Sequence, residues 1–283
     1  NLLANDTLGA DGARVTAVDL GDGEGWRSIA SSGETKLTTS RGEYTFQADG
    51  SWSFDPSLNQ ANASGVSAGF TYQITDGDGD ISTATQAITI TDGAEPAVSG
   101  AASLTVTEAA LDTTQADHDL KAGLVTGSDP SSAAETSQST GLVFTAGSDA
   151  ITGMAFGSLS GISVSGATGT FAWAVNGAGQ LEGRIGGSSG PVGIILAIGG
   201  TTTADAGGTA TPTITATLTD HFPHAAGNGN VTVSGVTVVA SDTDGDTVSG
   251  SVSITIVDDV PGARADSALE VAESASATQG TNL

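Results

Sequence analysis

Cysteine is absent from this sequence, aromatic residues make up only 4% of it, and methionine occurs once. Without cysteine the fold holds no disulfide, which excludes a small oxidised scaffold. The sequence also lacks an apolar run near the roughly 18 residues of a membrane span. Its first residues show no basic region followed by an apolar one. We therefore expect no membrane insertion.

Basic residues are also scarce, with 7 against 32 acidic residues and a formal charge of −25. Such a chain repels nucleic acid and anionic membrane surfaces, and it attracts metal cations. Acidic chains are often disordered, but the mean hydropathy is near zero at +0.05 and apolar residues alternate in spaced runs. Composition therefore favours a folded chain that binds cations and no nucleic acid.

The residues present in quantity are those of short strands and tight turns, including 41 glycines among 283 residues. Two hairpins are predicted where alternating apolar residues flank a turn dipeptide. The first has Tyr44, Phe46, Trp52 and Phe54 around Asp49-Gly50, and the second has Phe171, Trp173 and Val175 before Asn176-Gly177. No convincing amphipathic helix is present, and turn signals recur at the spacing expected of sandwiches, so we expect an all-β fold of tandem sandwich modules.

An internal repeat divides the chain. The acidic run Asp76–Asp80 is followed by Ile88–Asp92, and at one constant offset Asp242–Asp246 is followed by Ile254–Asp258. Each block is typical of a final strand leading into an acidic linker. The repeat predicts one module over 1–93 that lacks its first strand, a larger module over 94–259, and a linker with the first strand of a further repeat over 260–283.

The predicted strand in the last segment, Leu269–Glu273, matches the first strand of the second module. The first module would then expose an unpaired sheet edge, while the tail would carry a strand without a sheet. These two features are complementary. We therefore expect a possible head-to-tail self-contact through strand addition, besides contacts with neighbouring repeats of the same chain.

Alternating carboxylates in both acidic runs are candidate calcium ligands, because calcium takes six to eight oxygen ligands from flexible loops. The candidates are Asp76, Asp78, Asp80, Asp242, Asp244 and Asp246. Neither run is an EF-hand, since that motif requires Gly at its sixth position and Glu at its twelfth. The alternative is that the Asp-Gly pairs only form hairpin turns and the acids are solvated.

Further acids cluster at the predicted module boundaries, where uncompensated like charges repel. These candidate metal ligands are Asp92, Glu95 and Glu108, with the parallel set Asp258, Asp259, Asp266 and Glu273. A divalent ion relieves such repulsion and stiffens the junction. The sequence therefore predicts Ca²⁺ as the cofactor at the junctions.

Other candidate sites are weaker. Gly186–Gly190 matches a nucleophile elbow, but Pro191 follows at once where the elbow requires a helix. His221 and His224 could bind zinc, yet Phe222-Pro223 between them indicates a loop, and the neighbouring sequence offers no third ligand. Solvated loop histidines are the favoured interpretation. We expect no enzyme activity.

Several segments resemble a known family. Asn1–Gly12, Tyr44–Phe54 and Phe70–Asp76 resemble the cadherin-like VCBS repeats of giant bacterial proteins. Ser241–Asp246 with Ile254–Pro261 resembles the end of the longer repeat of type I-secreted agglutinins and RTX adhesins. The resemblance implies Ig-like or cadherin-like sandwiches, calcium at module junctions, type I secretion, and service as an extender. The calcium-binding nonapeptide of the RTX β-roll is absent.

These observations predict a structural, calcium-stabilised extender repeat of a large secreted bacterial adhesin. It would lie at the cell surface and project a distal adhesion domain for cell attachment or biofilm formation. The alternative is a glycan- or ligand-binding module of the same adhesin, built from the atypical middle of the second domain. An aromatic-rich cleft of the kind that sugar hydrolysis requires is not evident in the sequence.

Overall fold

The computed structural model describes residues 1–60, 64–112, 126–227 and 229–266. Regular structure in these ranges is β-strand, apart from three short 3₁₀ turns at Leu2–Asn5, Glu108–Ala110 and Leu159–Gly161. No helix in these ranges is long and apolar enough to cross a membrane. The predicted all-β fold is confirmed.

Strands β1–β9 form a first unit of three antiparallel sheets with the orders β2-β1-β7-β8, β3-β4-β5 and β6-β9. Their bounds are Ala13–Asp19, Arg27–Ser28, Thr35–Thr39, Gly42–Phe46, Trp52–Pro56, Val66–Ser67, Phe70–Asp76, Ile81–Gln86 and Thr89–Ile90. The alternating burial of β4 and β7 points every second side chain at one shared hydrophobic core. Polar side chains alternate with these on the outer face.

The predicted aromatic hairpin is present as β4 and β5, in which Tyr44 pairs with Phe54 and Phe46 with Trp52. Gly50 makes the turn with φ +82°, a conformation that favours glycine. The rings of Tyr44 and Phe54 lie 4.4 Å apart. The buried Tyr44 hydroxyl donates a 2.7 Å hydrogen bond to the Ala68 carbonyl. The hairpin therefore supplies most of the aromatic core of the first unit.

Strands β10–β22 form a second unit around a separate hydrophobic core. Their bounds are Ala97–Gly100, Ala102–Thr107, Thr136–Ser139, Leu142–Thr145, Gly153–Phe156, Ser163–Ser165, Phe171–Val175, Leu181–Ile185, Val192–Gly200, Thr209–Ala210, Pro212–Leu218, Val231–Ser241 and Thr247–Val257. The sheet orders are β11-β22-β21-β14, with β15 also on β21, then β12-β20-β18-β17-β16 and β10-β13-β19.

The long strands β21 and β22 organise the second unit and position its acidic ends. Their hairpin is interrupted by a β-bulge between Val233 and Val236. Gly235 in that bulge has φ +79°, and an added Cβ would lie 2.0 Å from the Gly161 carbonyl oxygen, so only glycine fits. Strand β11 pairs in parallel with β22, and Thr107 lies opposite Val257. This register brings Glu108 and Asp258, the next residue of each strand, to the same end of the sheet.

The two units meet at Asn59, between β5 and β6. Its backbone N–H donates to the Ser148 carbonyl at 2.8 Å. Its side-chain oxygen accepts from the Ala150 N–H at 2.9 Å and from the Thr243 hydroxyl at 2.7 Å. Asn59 has φ +59°, and it is the one non-glycine residue with positive φ in the described ranges. Asparagine tolerates this conformation better than most residues, which lets the loop dock on the second unit.

One predicted turn has a different length in the structure, and one predicted strand lies outside the described residues. The turn after Phe171–Val175 spans Asn176–Gln180, with Gly179 rather than Gly177 at positive φ, so it is longer than a two-residue Asn-Gly turn. The predicted strand Leu269–Glu273 lies outside the described residues, as does most of the 260–283 segment. The self-contact predicted from that strand stays a prediction.

Candidate metal centres

The acidic loops at Asp76–Asp80 and Asp242–Asp246 share one backbone design. In each loop the first aspartate donates its N–H to the carbonyl of the last, at 3.1 Å for Asp76 and 3.0 Å for Asp242. The Oδ1 of that first aspartate accepts from the backbone N–H groups three and four residues later, at 3.0 and 2.8 Å in both loops. The repeat seen in the sequence is therefore also a repeat of loop geometry.

At the junction of the two units, the second loop meets acids from other segments. Carboxylate oxygens of Asp92, Asp244 and Asp246 all lie within 4.8 Å of one another. Asp92 comes from the linker after β9, whereas Asp244 and Asp246 come from the β21–β22 turn. Two segments distant in sequence thus contribute to one cluster, which we call the junction centre.

We include Glu95 and Asp149 in the junction centre, because its negative charges act on both carboxyl groups. The negative charge of Asp246 raises the pKa of Glu95, with further contributions from burial and from Asp92 and Asp242. Burial raises the pKa of Asp149, and the charges of Asp92, Asp242 and Asp246 act in the same direction. Six carboxyl groups therefore interact at one place, namely Asp92, Glu95, Asp149, Asp242, Asp244 and Asp246.

Two of these groups carry buried oxygens that lack a hydrogen-bond partner. Asp149 is only 2% exposed, and its Oδ1 has no partner, although its Oδ2 accepts from the Ser148 hydroxyl at 3.1 Å. Both side-chain oxygens of Asp244 are buried and unpaired. Burial, with contributions from the neighbouring Asp242 carboxyl group and the charge of Asp92, raises the pKa of Asp244 to about 6. Buried oxygens without donors are costly, and a cation would satisfy them.

Among the residues that the structure describes, no basic side chain pairs with the junction centre. The ion pairs in this part of the chain lie elsewhere and involve none of its six carboxylates. Hard oxygen ligands without nitrogen or sulfur are the donor set that Ca²⁺ prefers. The residues at the junction therefore have the chemistry of calcium ligands, and calcium binding by Asp92, Glu95 and the Asp242 loop stays a prediction. Asp149 was missed, since a lone Ser-Asp pair in a loop carries no sequence signal.

The Asp76 loop is a weaker candidate. Ligand oxygens of Asp76, Asp78 and Asp80 lie within 4.8 Å of one another, but Asp78 and Asp80 are exposed. A hydrogen bond with Asp76 raises the pKa of Asp78, while the same bond lowers the pKa of Asp76. Exposure to water screens such charges, so the need for a cation is smaller here than at the junction.

The end of the second unit opposite the junction holds a different cluster, made of Glu108, His224 and Asp258. β22 separates the two centres by 11 residues, about 35 Å of extended chain. His224 Nε2 lies 3.1 Å from Glu108 Oε1 and 4.0 Å from Asp258 Oδ1. Glu108 is 6% exposed, and burial raises its pKa although its Oε1 accepts from the Phe222 N–H at 2.5 Å.

The structure therefore places Glu108 away from Asp92 and Glu95, although the sequence grouped all three at one predicted module boundary. The other predicted ligands also differ in their surroundings. The Asp259 carboxylate accepts from the Ser128 N–H at 2.8 Å and the Ser128 hydroxyl at 2.6 Å. Asp266 is exposed and joins neither centre. Glu273 lies outside the described residues.

The interpretation of both histidines as solvated is wrong for one of them. The side chain of His221 is 61% exposed and contacts Asp220, whereas that of His224 is only 8% exposed. Phe222-Pro223 correctly indicated a loop. The partners of His224 come from the ends of β11 and β22, so no local sequence pattern could reveal them.

Ser188, the motif serine of Gly186–Gly190, does not lie in a nucleophile elbow. The segment is a tight turn between β17 and β18, in which the Gly190 N–H donates to the Gly187 carbonyl at 2.9 Å. Strand β18 follows it directly, whereas the elbow requires a helix after the serine. The geometry that would activate this serine is therefore missing.

Comparison with known families gives one match. Residues 1–91 match the family model described as a bacterial Ig domain. A comparison with curated proteins finds no match. Domains of this kind are usually found in surface or extracellular proteins and are typically structural rather than enzymatic. Residues 1–91 are therefore similar to a bacterial Ig domain, in agreement with an all-β architecture of Ig-like sandwiches.

Proposed function

We propose that this chain is a non-catalytic, calcium-stabilised extender segment of a large secreted bacterial surface adhesin. In this proposal residues 1–93 and 94–259 are consecutive modules, which two separate hydrophobic cores support. The observation that carries the proposal is the junction centre, where acids of the linker and of the second unit converge around buried, unpaired carboxylate oxygens of Asp149 and Asp244.

Calcium accounts for this arrangement because the junction offers enough oxygen ligands. Asp92, Asp244 and Asp246 offer up to six carboxylate oxygens. Glu95 and Asp149, whose pKa values respond to the same charges, would add up to four more, against the six to eight that calcium takes. Bound there, the ion would join the linker to two loops of the second unit. It would also replace mutual repulsion by attraction to a shared cation.

The mechanical consequence is a stiff junction. Asn59 already docks the first unit on the residues next to the junction centre, through Ser148, Ala150 and Thr243. An ion beside this contact fixes the linker that connects the units. A row of such junctions would hold a distal adhesion domain away from the cell.

The finer assignment draws on the resemblance to cadherin-like VCBS repeats and to the repeats of type I-secreted RTX agglutinins. It comprises type I secretion, a place on the bacterial cell surface, and a role in attachment or biofilm formation. The geometric equivalence of the two acidic loops supports a tandem array, because each junction then repeats the same ion-binding design. Neighbouring repeats of the same chain are the partners of this segment.

Small-angle scattering of the full chain with calcium and after chelation tests the proposal. We expect chelation to broaden the distribution of interatomic distances while circular dichroism stays β-rich. Asp244→Asn with Asp246→Asn should give the broadened profile even with calcium. The matched control, Asp78→Asn with Asp80→Asn, changes the equivalent loop away from the junction and should behave as the unaltered chain. A calcium-independent profile would contradict the proposal.

A further inference from the structure

The environment of His224 contains an electrostatic conflict. Its Nδ1 lies 2.6 Å from the Gly229 carbonyl oxygen. A carbonyl can only accept a hydrogen bond, so Nδ1 carries the hydrogen. In the neutral ring Nε2 is then left with a lone pair. This lone pair faces the carboxylates of Glu108 and Asp258, which are also acceptors.

Neither solvent nor a donor reaches Nε2 in the described structure, although the Phe222 N–H donates to Glu108 Oε1. The His224 side chain is 92% buried, because 8% is exposed, and Nε2 has no hydrogen-bond partner in the described structure. Water therefore cannot easily solvate the three converging acceptors. A cation between them would satisfy all three at once.

We propose that Glu108, His224 and Asp258 bind a transition-metal ion of the zinc class at the end of the second unit opposite the junction. One imidazole nitrogen and two carboxylates form a donor set that Zn²⁺ commonly uses, whereas calcium strongly prefers oxygen ligands. The hydrogen bond from Nδ1 to a backbone carbonyl is the orientation that metal-bound histidines usually have.

The dimensions of the cluster fit such an ion. Ligand atoms around a tetrahedral zinc ion lie about 3.4 Å apart when each bond is about 2.1 Å. The observed separations from Nε2 are 3.1 Å to Glu108 and 4.0 Å to Asp258, and all three ligand atoms lie within 4.8 Å. A small rotation of the Asp258 side chain, which is 20% exposed, would complete the approach.

Three protein ligands leave one position of a tetrahedral ion open. It would face a cavity of about 270 Å³ whose lining includes Leu111, Gly127, His221 and Asp259. The Asp259 carboxylate is engaged by Ser128. The exposed ring of His221 contacts Asp220, so a water molecule would take the open position.

The ion would fasten three chain segments, since Glu108 follows β11, Asp258 follows β22, and His224 lies in the loop before β21. This site goes beyond the calcium junction and does not depend on it. The second unit would then carry different metals at its two ends, with calcium at the junction and a nitrogen-binding metal at the other end.

Calorimetric titration of the metal-free full chain with ZnCl₂, in buffer with excess calcium to occupy the oxygen-only sites, tests the proposal. We expect about one equivalent of Zn²⁺ to bind the unaltered chain and the matched control His221→Gln. His224→Gln should weaken binding by more than the roughly 10- to 100-fold that loss of an outer partner of a metal ligand costs. Because His224 is buried, circular dichroism checks folding, and the more exposed Asp258→Asn provides a second variant.

Several outcomes would overturn the proposal. Equal zinc affinity in folded His224→Gln would show that the ion binds elsewhere. Zinc binding that appears only in calcium-free buffer would identify an oxygen-only site. Absence of zinc binding by the unaltered chain would favour a histidinium that donates Nε2–H to Glu108. Co²⁺ absorption in the visible range that depends on His224 would support nitrogen ligation independently of affinity.

Discussion

The two acidic loops, Asp76–Asp80 and Asp242–Asp246, have the same internal hydrogen bonds but different surroundings. The first turns between β7 and β8, where Asp78 and Asp80 are exposed. The second is covered by the Asn59 loop and by acids from the linker, and the pKa of its Asp244 rises to about 6. The loop sequence thus encodes a turn, while the neighbouring segments turn it into a candidate ion site.

Calcium removal should give the largest difference between the two loops. A ligand that binds only the folded state at 100 times its Kd adds about 2.7 kcal/mol to the free energy of unfolding. For a unit the size of the second one, chelation should therefore lower the melting temperature by roughly 5–10 °C. Thermal scans with calcium and with excess chelator measure this shift.

Two double variants should show which acidic loop carries the calcium-dependent shift in melting temperature. Asp244→Asn with Asp246→Asn should abolish most of the calcium-dependent shift, because these residues supply ligands at the junction. Asp78→Asn with Asp80→Asn should retain most of it. Equal shifts in both variants would mean that the loops bind calcium alike and that the junction adds nothing.

Asn59→Ala should have a smaller effect on the junction. Alanine at φ +59° costs about 1–2 kcal/mol, and the variant also loses the oxygen that accepts from Ala150 and Thr243. The loop can undock, so the destabilisation should not exceed about 1–2 kcal/mol. Denaturant unfolding and small-angle scattering measure the stability and the stiffness.

Asn59→Gly separates the two causes, because glycine adopts positive φ freely but lacks the amide. If backbone conformation dominates, the glycine variant stays close to the unaltered chain. If the amide contacts dominate, both variants lose stiffness equally. Unchanged scattering in both variants would remove Asn59 from the account of the junction.

Sequence patterns with short periods were sufficient to predict much of the fold. Alternation around Asp49-Gly50 predicted the β4–β5 hairpin, and the constant offset of the acidic runs predicted two equivalent loops. The candidate centres depend on contacts between distant segments. Asp149 and the grouping of His224 with Glu108 and Asp258 were missed. Asp149 and His224 lie in loops, and the register of β11 on β22 brings only Glu108 and Asp258 to the same end of the sheet.

The pH dependence of the stability of the calcium-free chain should show the smallest difference between the two loops, since partly exposed charges are screened by water. The pKa of Asp244 is 3.8 in the unfolded reference and about 6 in the folded chain. Between these values the folded state binds more protons than the unfolded state, so its stability falls as pH rises from about 4 to about 6. With calcium bound, this loss should disappear, because the ion stabilises the ionised carboxylates. Denaturant midpoints of dialysed, metal-free protein at several pH values measure the slope. Asp244→Asn should flatten it and Asp80→Asn should leave it unchanged. Equal slopes in the unaltered metal-free chain and in Asp244→Asn would show that the Asp244 carboxyl group does not contribute to the pH dependence.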